Sequence, residues 1–487
     1  MVKGCLNTMI GKNMVDKPFI ISIAGDSASG KSTIANFIRI YYGYDNTTLI
    51  SGDDLHKWER GDMMWNAITH LNPLANNLQL GDLQLMSLKE GAKVLRKVYN
   101  HNTGKFDQEI WVSPKKYIIN EGLHSFYTKQ SEELSDLKIY IDTDENLMTD
   151  FKIERDTLER GYTKEDVIET ITNRKKDSEH IRKIQIEKAN IIIKLSNLHG
   201  LDIECKTDVD YMLFDFIKKM HRELEEFVWM NVALGNRTSI TQSKGGNISS
   251  KIGDKLIIKE SGGKLKDIKY GKGYSIINYK DVDFKNIPTD NDLDDVLIAL
   301  SSNTIYKKPS METGFHTAFK KYVFHVHPIY LNCILSLENG KDIIDKLFKT
   351  EDFQYTYLDY YNPGLELTSK ILNTNDIEDV VFLENHGLIV SSDNYYRCIH
   401  LISRINSFTK EYIRKNVNDF VEFTYAFYKI SNKDIFTFPD AVVIDDYETN
   451  AAHNYILYYA NRLGKIKQLS DDDVEYLKNL KSEKYRK

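Results

Sequence analysis

Residues 17–33 read KPFIISIAGDSASGKST, and this stretch decides the fold of the first half of the chain. A short apolar run, Phe19 to Ala24, breaks into Gly25-Asp-Ser-Ala-Ser-Gly30-Lys31-Ser32, which meets the spacing G-x-x-x-x-G-K-[ST] in full. The order is strand, phosphate loop, helix. Gly25 and Gly30 let successive backbone N–H groups point at phosphate oxygens with no Cβ in the way. Lys31 then reaches the β- and γ-phosphates, and the Ser32 hydroxyl takes Mg2+. Ile34, Phe37, Ile38 and Tyr41 follow at helical spacing, so the positive end of a helix faces the phosphates. Gly25, Ser29, Gly30, Lys31, Ser32 and Thr33 are therefore the expected ATP contacts.

With 487 residues the chain exceeds one ordinary core, and length points to about two to four domains. Lys plus Arg number 65 against 71 for Asp plus Glu, a formal charge of −6, which argues against a nucleic-acid footprint or a membrane-surface patch. Cys5, Cys205, Cys333 and Cys398 lie far apart with no C-x-x-C pair, as expected for a reducing compartment. Apolar runs such as Phe19 to Ala24 and Val380 to Leu383 are at most strand-length, and no targeting or spanning segment is read. A cytoplasmic enzyme of small molecules, assembled as a homo-oligomer, is the expectation.

After the phosphate-loop helix, Thr48 to Ser51 reads as a second strand. It runs into Gly52-Asp53-Asp54-Leu55-His56-Lys57-Trp58-Glu59-Arg60. Segments leaving the carboxyl ends of strands in an open α/β sheet lie beside the nucleotide, so Asp53, His56 and Arg60 gather near the γ-phosphate. A carboxylate there can accept the proton of an attacking hydroxyl, while His and Arg can bind an anionic acceptor. This segment resembles the phosphoribulokinase family, whose G-D-x-x-H-x-x-x-R binds the sugar phosphate. The likeness continues in order through Thr69-His70-Leu71-Asn72-Pro73 with Ala75-Asn76, Tyr99-Asn100-His101 with Thr103-Gly104, and Glu121-Gly122-Leu123-His124. Arg155-Asp156 with Glu159-Arg160-Gly161-Tyr162 and then Arg174-Lys175-Lys176-Asp177 complete it.

The resemblance implies Asp53 as catalytic base, and His56 and Arg60 on the acceptor's phosphate. Glu121, beyond the strand Tyr117 to Ile119, is implied as the second carboxylate, suited to Mg2+ or the reacting hydroxyl. Arg155 and Arg160 are implied on sugar phosphate and transferring phosphoryl, with Arg155 in a catalytic role. Arg174 to Lys176 reads either as a lid contact to ATP or as a charged surface. Ser27, Ala28 and Ser29 stand where plant members carry a regulatory cysteine, so thiol switching is not supported. Uridine kinases lack the His56 and Arg60 pattern, which favours a sugar over a nucleoside acceptor.

Lys188 to Leu195 reads as the last strand of this domain, and Thr207 to Met220 as a helix. The expected domains are 1–215 and 216–487. A further amphipathic helix, Glu223 to Leu234, opens the second. Gly245-Gly246-Asn247 and Ser261-Gly262-Gly263 flank the strand Lys255 to Ile258, and either hold a phosphate through backbone donors or form a plain hairpin.

Tyr322-Val323-Phe324-His325-Val326-His327-Pro328 carries more. Residues i and i+2 of a strand face one side, so His325 and His327 converge, and His386 stands at a turn after the strand Asp379 to Leu383. Three histidines with an open fourth position make a catalytic zinc site. Glu312 and His316 lie at i and i+4 in Lys308-Pro309-Ser310-Met311-Glu312-Thr313-Gly314-Phe315-His316. Beside such a metal a carboxylate can shuttle the proton of an enediolate; alternatively, Glu312 faces the dipole of its own helix.

Over about Glu223 to Lys487 the chain resembles the class II (zinc-dependent) aldolase and adducin family. Lys259-Glu260-Ser261-Gly262, Phe438-Pro439-Asp440 and Glu483-Lys484-Tyr485-Arg486 are most similar to the aldolase half of fused rhamnulose-1-phosphate aldolases. The match implies Zn2+ on His325, His327 and His386, Glu312 as acid/base, and Asn247, Ser261, Gly262 and Ser310 on substrate phosphate. Met311 and Lys259-Glu260 depart from the commoner Ser and Thr-Pro. Adducin-type members have lost the metal site, whereas all three histidines stand here.

The expected architecture is therefore a three-layer kinase domain on a parallel sheet followed by an α/β/α zinc domain. The expected function is ATP- and Mg2+-dependent phosphorylation of a sugar or sugar phosphate, the ketose 1-hydroxyl favoured, coupled to aldol cleavage or condensation of a ketose phosphate. Epimerisation, dehydration or decarboxylation on the same zinc scaffold is one alternative. A non-catalytic zinc module that organises the kinase is another.

Overall fold

The computed structural model describes residues 17–101, 103–160, 162–197, 200–207, 211–302, 307–429 and 435–480. The chain divides into two units, Met1–Arg222 and Glu223–Lys487.

The first unit is organised by strand β1, Phe19–Gly25, whose Ile20, Ile21, Ile23 and Ala24 are all fully buried. A strand buried on both faces reads as a continuous apolar run and belongs at the centre of a parallel sheet. Helix α1, Lys31–Tyr42, follows β1 directly. Then come β2, Thr47–Ser51, β3, Tyr117–Gly122, and β4, Leu137–Thr143, with the ribbon Val94–Arg96 and Ile110–Val112 between β2 and β3. Helices α2, Glu145–Arg160, and α3, Lys164–Lys188, lead to β5, Ile191–Asn197, and β6, Gly200–Cys205. The sheet order is β6-β5-β4-β1-β3-β2, parallel except for the β5/β6 hairpin. The order reverses around β1, and in such sheets the crevice at the strands' carboxyl ends there takes the ligand.

Three sequence expectations need correction. Lys188 is not in a strand: a capping box at Thr163 and Asp166 starts α3, which runs to Lys188 before the β-branched run Ile191 to Ile193 begins β5. Nor is β5 the last strand, because β6 pairs back on it with Leu201 opposite Leu195 and Ile203 opposite Ile193. The expected helices 207–220 and 223–234 are one helix, α4, Tyr211–Gly235, since no Gly or Pro interrupts residues 211–234. The division between the units falls inside α4.

The second unit carries a seven-stranded sheet. Its strands are β7, Asn247–Ile252, β8, Lys255–Lys259, β9, Tyr274–Asn278, β10, Tyr322–Val326, β11, Thr356–Leu358, β12, Val380–Leu383, and β13, Gly387–Ser392. The order is β9-β8-β7-β10-β13-β12-β11, antiparallel apart from β11 with β12. Every residue of the central β10 is buried. Phe315, Val323, Leu358, Val381, Leu383 and Ile389 pack together in one core cluster. The short helix α5, Thr313–His316, precedes β10; α6, Pro439–Val443, α7, Tyr447–Leu463, and α8, Asp471–Asn479, end the described chain. Among the described residues no helix is long and apolar enough to cross a membrane. Cys205, Cys333 and Cys398 are free thiols.

Candidate active sites

The turns leaving β1, β2 and β3 meet at one end of the first sheet, where Ser51 lies in register with Glu121 and Ala24 with Gly122. Gly30 caps α1 at φ 90°, a left-handed conformation that glycine adopts without strain. Within the loop, Lys31 Nζ donates to the Asp26 carbonyl at 2.7 Å and Thr143 Oγ1 to the Ser29 carbonyl at 2.8 Å. The Ser32 hydroxyl lies 3.2 and 3.1 Å from the two Glu121 oxygens, so Glu121 and the loop hydroxyl share one spot. Asp53 sits in a short 3-10 turn started by Ser51, whose Oγ accepts from Asp53 N at 3.3 Å. Its Oδ2 is 3.1 Å from His101 Nε2 and its Oδ1 3.7 Å from His56 Nε2. His56 is held from behind, with Nδ1 2.8 Å from Asn76 Oδ1. Arg60 donates through Nη2 to the His101 carbonyl at 2.9 Å, and Arg155 from α2 reaches Ser27 Oγ at 3.4 Å while pairing with Asp156 at 2.9 Å. Gly25 ends β1 and Thr33 lies in the first turn of α1, so both belong to the loop and its flanks. The side chain of Arg160 and those of Arg174 to Lys176 lie outside the described residues, as does Cys5.

In the second unit, ligand atoms of His325, His327 and His386 lie within 4.8 Å of one another, and all three residues are buried. Register explains the meeting: β10 pairs with β13, and the tight β12 to β13 turn, with Leu383 opposite Gly387, sets His386 beside the end of β10. His325 Nε2 and His327 Nε2 are 3.0 Å apart, while their Nδ1 atoms face outward to the Leu388 carbonyl at 3.3 Å and Asp440 Oδ2 at 2.8 Å. With the outer nitrogens donating, two lone pairs point at each other, and such a pair calls for a cation between them. The residues present fit a metal ion. Glu312 occupies the cap position of α5 and its side chain makes no capping bond there. Its Oε2 accepts from Asn247 Nδ2 at 2.7 Å and lies 3.6 Å from His325 Nε2, and its Oε1 lies 3.5 Å from His386 Nε2.

Asn247 also donates to Ser310 Oγ at 3.2 Å and meets His316 Nε2, whose Nδ1 is 2.7 Å from Ser249 Oγ. The Asn247 side chain is thus committed to Glu312 and its neighbours. Ser261 and Gly262 follow β8 in a turn joined to the Ser310 segment, Ser261 N to the Lys308 carbonyl at 2.9 Å and Ser310 N to the Lys259 carbonyl at 3.1 Å. The buried Lys259 ties the two glycine turns together, donating to the Lys244 carbonyl at 2.9 Å and the Gly263 carbonyl at 2.7 Å. Met311 turns away into a cluster with Val443, Ile444, Leu469, Leu477 and Leu480. The motif at 483–486 lies outside the described residues.

Residues 20–199 match the Phosphoribulokinase / Uridine kinase family, and residues 225–413 the Class II Aldolase and Adducin N-terminal domain. The phosphoribulokinase of Synechocystis is 36% identical over 181 residues, 37% of this chain and 54% of that protein. The uridine kinase of Clostridium perfringens is 34% identical over 164 residues, 32% of this chain and 77% of that enzyme. The chain belongs to the phosphoribulokinase/uridine kinase family, fused to a class II aldolase/adducin domain. It spans about half the length of the curated phosphoribulokinases it matches. Among solved structures, the N-terminal class II aldolase domain of a Thermoplasma acidophilum protein aligns at 25% identity and TM-score 0.36, covering 43% of this chain and 97% of that one.

In the kinase domain, burial alone would raise the Asp53 carboxyl, but the His101 contact and the imidazoles of His56, His101 and His70 overturn that and hold it well below the usual carboxylate range. Asp53 is therefore ionised and oriented, as an acceptor of a hydroxyl proton must be. Burial lowers the Lys31 ammonium and raises the Glu121 carboxyl, and each of the two charges opposes the other's shift. In the aldolase-like domain, burial pushes His325 down to about 4 and His386 down to about 3, so both are neutral imidazoles at physiological pH, the form that ligates metal.

Two residues at these sites received no role from the sequence. His101 lies in the quoted Tyr99-Asn100-His101, but only the fold brings its ring onto Asp53. Asp440 stands second in the Pro439-led helix α6, and nothing local indicates that it touches His327.

Proposed function

We propose that the chain is a bifunctional sugar enzyme. Its kinase domain transfers the γ-phosphoryl of ATP to a hydroxyl of a sugar or sugar phosphate, the ketose 1-hydroxyl favoured. Its aldolase-like domain breaks or forms a carbon–carbon bond in a ketose phosphate. The observation that carries this reading is the presence, on one chain, of the Asp53, Lys31 and Ser32/Glu121 group and of a buried histidine triad faced by Glu312.

At the kinase site, Asp53 takes the proton of the acceptor hydroxyl as its oxygen attacks the γ-phosphorus and ADP leaves. Lys31 and Arg155 stabilise the charge spread over the transferring oxygens. Ser32 and Glu121 would hold Mg2+, which would neutralise charge on the phosphates. His56, Arg60 and Arg160 bind the acceptor's own phosphate. In the second site, His325, His327 and His386 would hold Zn2+, which as a Lewis acid would polarise a substrate carbonyl. Glu312, with Oε2 held by Asn247, moves a proton at the carbon next to that carbonyl. Ser261, Gly262, Ser310 and the backbone at Asn247 bind the substrate phosphate. A ketose phosphorylated at its 1-hydroxyl has the form the second reaction needs, so the two steps run in sequence.

Incubation of the whole chain with ATP, Mg2+, Zn2+ and a panel of ketoses and ketose phosphates, followed by mass, tests the reading. The expected products are a phosphorylated ketose and then two shorter fragments. Phosphorylation of uridine with none of any ketose would overturn the sugar assignment. An inverted or dehydrated sugar in place of fragments would move the second reaction to epimerase or dehydratase chemistry.

A further inference from the structure

We propose that Asp440 is a positioning residue for His327, so that the segment beyond residue 413, outside the matched aldolase region, completes the metal centre. The inference rests on reading His325, His327 and His386 as that centre. Asp440 and His327 are 5% and 4% exposed, and a carboxylate that deep in the protein persists as an ion only with a close donor. His327 Nδ1 supplies it at 2.8 Å. The contact fixes the tautomer, because Nδ1 must carry the proton, and leaves the Nε2 lone pair facing His325 Nε2 at 3.0 Å. A carboxylate behind a ligating imidazole in this way holds the ring's orientation and raises its basicity.

The surroundings hold Asp440 in place from two sides. Phe438 packs with Ile329, Tyr330, Ala451 and Tyr455, and Val443 and Ile444 pack with Met311, Leu469 and Leu477. Helix α6 is thus wedged between two apolar clusters, the second of which reaches the residue next to Glu312. Opposite, Gly245 leaves the gap the pair needs: a Cβ there would lie 2.8 Å from His327 Nδ1 and closer still to Asp440 Oδ2. A side chain at 245 would therefore part the carboxylate from the imidazole without touching either residue's identity.

The test measures Zn2+ affinity of the full-length chain by competition with a chromophoric chelator, and the ligand-field spectrum of its Co2+ form. Asp440→Ala should bind Zn2+ about 10- to 100-fold more weakly, with shifted Co2+ bands. Asp440→Asn should fall between, since its amide oxygen still accepts from Nδ1 but carries no charge. Gly245→Ala should reproduce the Asp440→Ala loss with Asp440 intact. Melting of the metal-free proteins controls for folding: a merely structural role would lower those midpoints while leaving affinity and spectrum unchanged. Affinities within about twofold of the parent in both Asp440→Ala and Gly245→Ala, with the same Co2+ bands, would overturn the inference while leaving the metal centre standing. A parent chain that takes up no stoichiometric Zn2+ would overturn the metal reading and this inference with it.

Discussion

Gly122 to Ala should slow the kinase without weakening its hold on ATP. β2 and β3 run side by side with Ser51 against Glu121, and the next residues, Gly52 and Gly122, touch backbone to backbone. A Cβ on Gly122 would lie 2.9 Å from Gly52 Cα and 3.2 Å from Gly52 N, where ordinary contact begins at 3.4 Å. The two strand ends must part by about 0.5 Å (3.4 less 2.9) to restore ordinary contact. Gly52 precedes Asp53 and Gly122 follows Glu121, so the displacement passes straight to the proposed base and to the carboxylate beside Ser32. Misplacement on the order of 1 Å costs about 10²-fold in rate, so half that displacement or more should lower kcat by about 10- to 100-fold. Overpacking should also lower stability by about 1–3 kcal/mol. The assay pairs kcat for ATP-dependent phosphorylation at saturating acceptor with calorimetric ATP affinity. A kcat within about twofold of the parent would refute the reasoning that this contact sets the carboxylate spacing. Loss of ATP binding in step with kcat would place the strain on the phosphate loop of β1 instead.

Asp53→Asn should bind ATP normally yet transfer phosphoryl about 10² to 10⁴-fold more slowly, and near-parental turnover would remove Asp53 from the role of base. Glu312→Gln should keep its Zn2+ but lose solvent-deuterium exchange at the carbon next to the substrate carbonyl by a similar factor of about 10² to 10⁴; unchanged exchange would contradict a proton-moving Glu312. Burial pushes His124 down to about 4, so in the folded kinase domain it stays neutral while the unfolded chain takes up a proton near pH 6.5. Its stability contribution is complete above pH 6.5 and is lost as pH falls towards 4, by about 3 kcal/mol at 1.36 kcal/mol per unit. Urea unfolding between pH 7.5 and about 4.5 should therefore decline less steeply in His124→Gln than in the parent, and parallel declines would exclude His124 as the cause.

Where the placement of a group depends on neighbours in the chain, the sequence was enough. The phosphate loop is a local device: Gly25, Gly30, Lys31 and Ser32 act within one turn, and the apolar run before it and the helical spacing after it state its context. Asp53 and Glu121 were legible for a related reason, since in a parallel sheet a polar residue just beyond an apolar strand arrives at the ligand end. His325 and His327 followed from the two-residue repeat of a strand. Reach along the chain marks where this stops. The capping box that carries α3 to Lys188 and the unbroken α4 were present as local signals but competed with plausible strand and loop readings of the same residues. His101 on Asp53 and Asp440 on His327 had no local signal at all, because partners 48 and 113 residues apart (101 less 53, 440 less 327) meet only through sheet order and helix packing. The orientation of the Glu312 side chain has the same origin: four residues of helix leave a cap carboxylate free to point along its own dipole or into the sheet, and Asn247, placed opposite His325 by the β7/β10 register, donates to its Oε2. Sequence alone determined which chemical groups the chain carries and the local turns that present them. Tertiary structure decided which of those groups share a site, because burying a carboxylate costs desolvation unless a donor such as an imidazole is brought beside it, and only the packing of distant segments brings the two together.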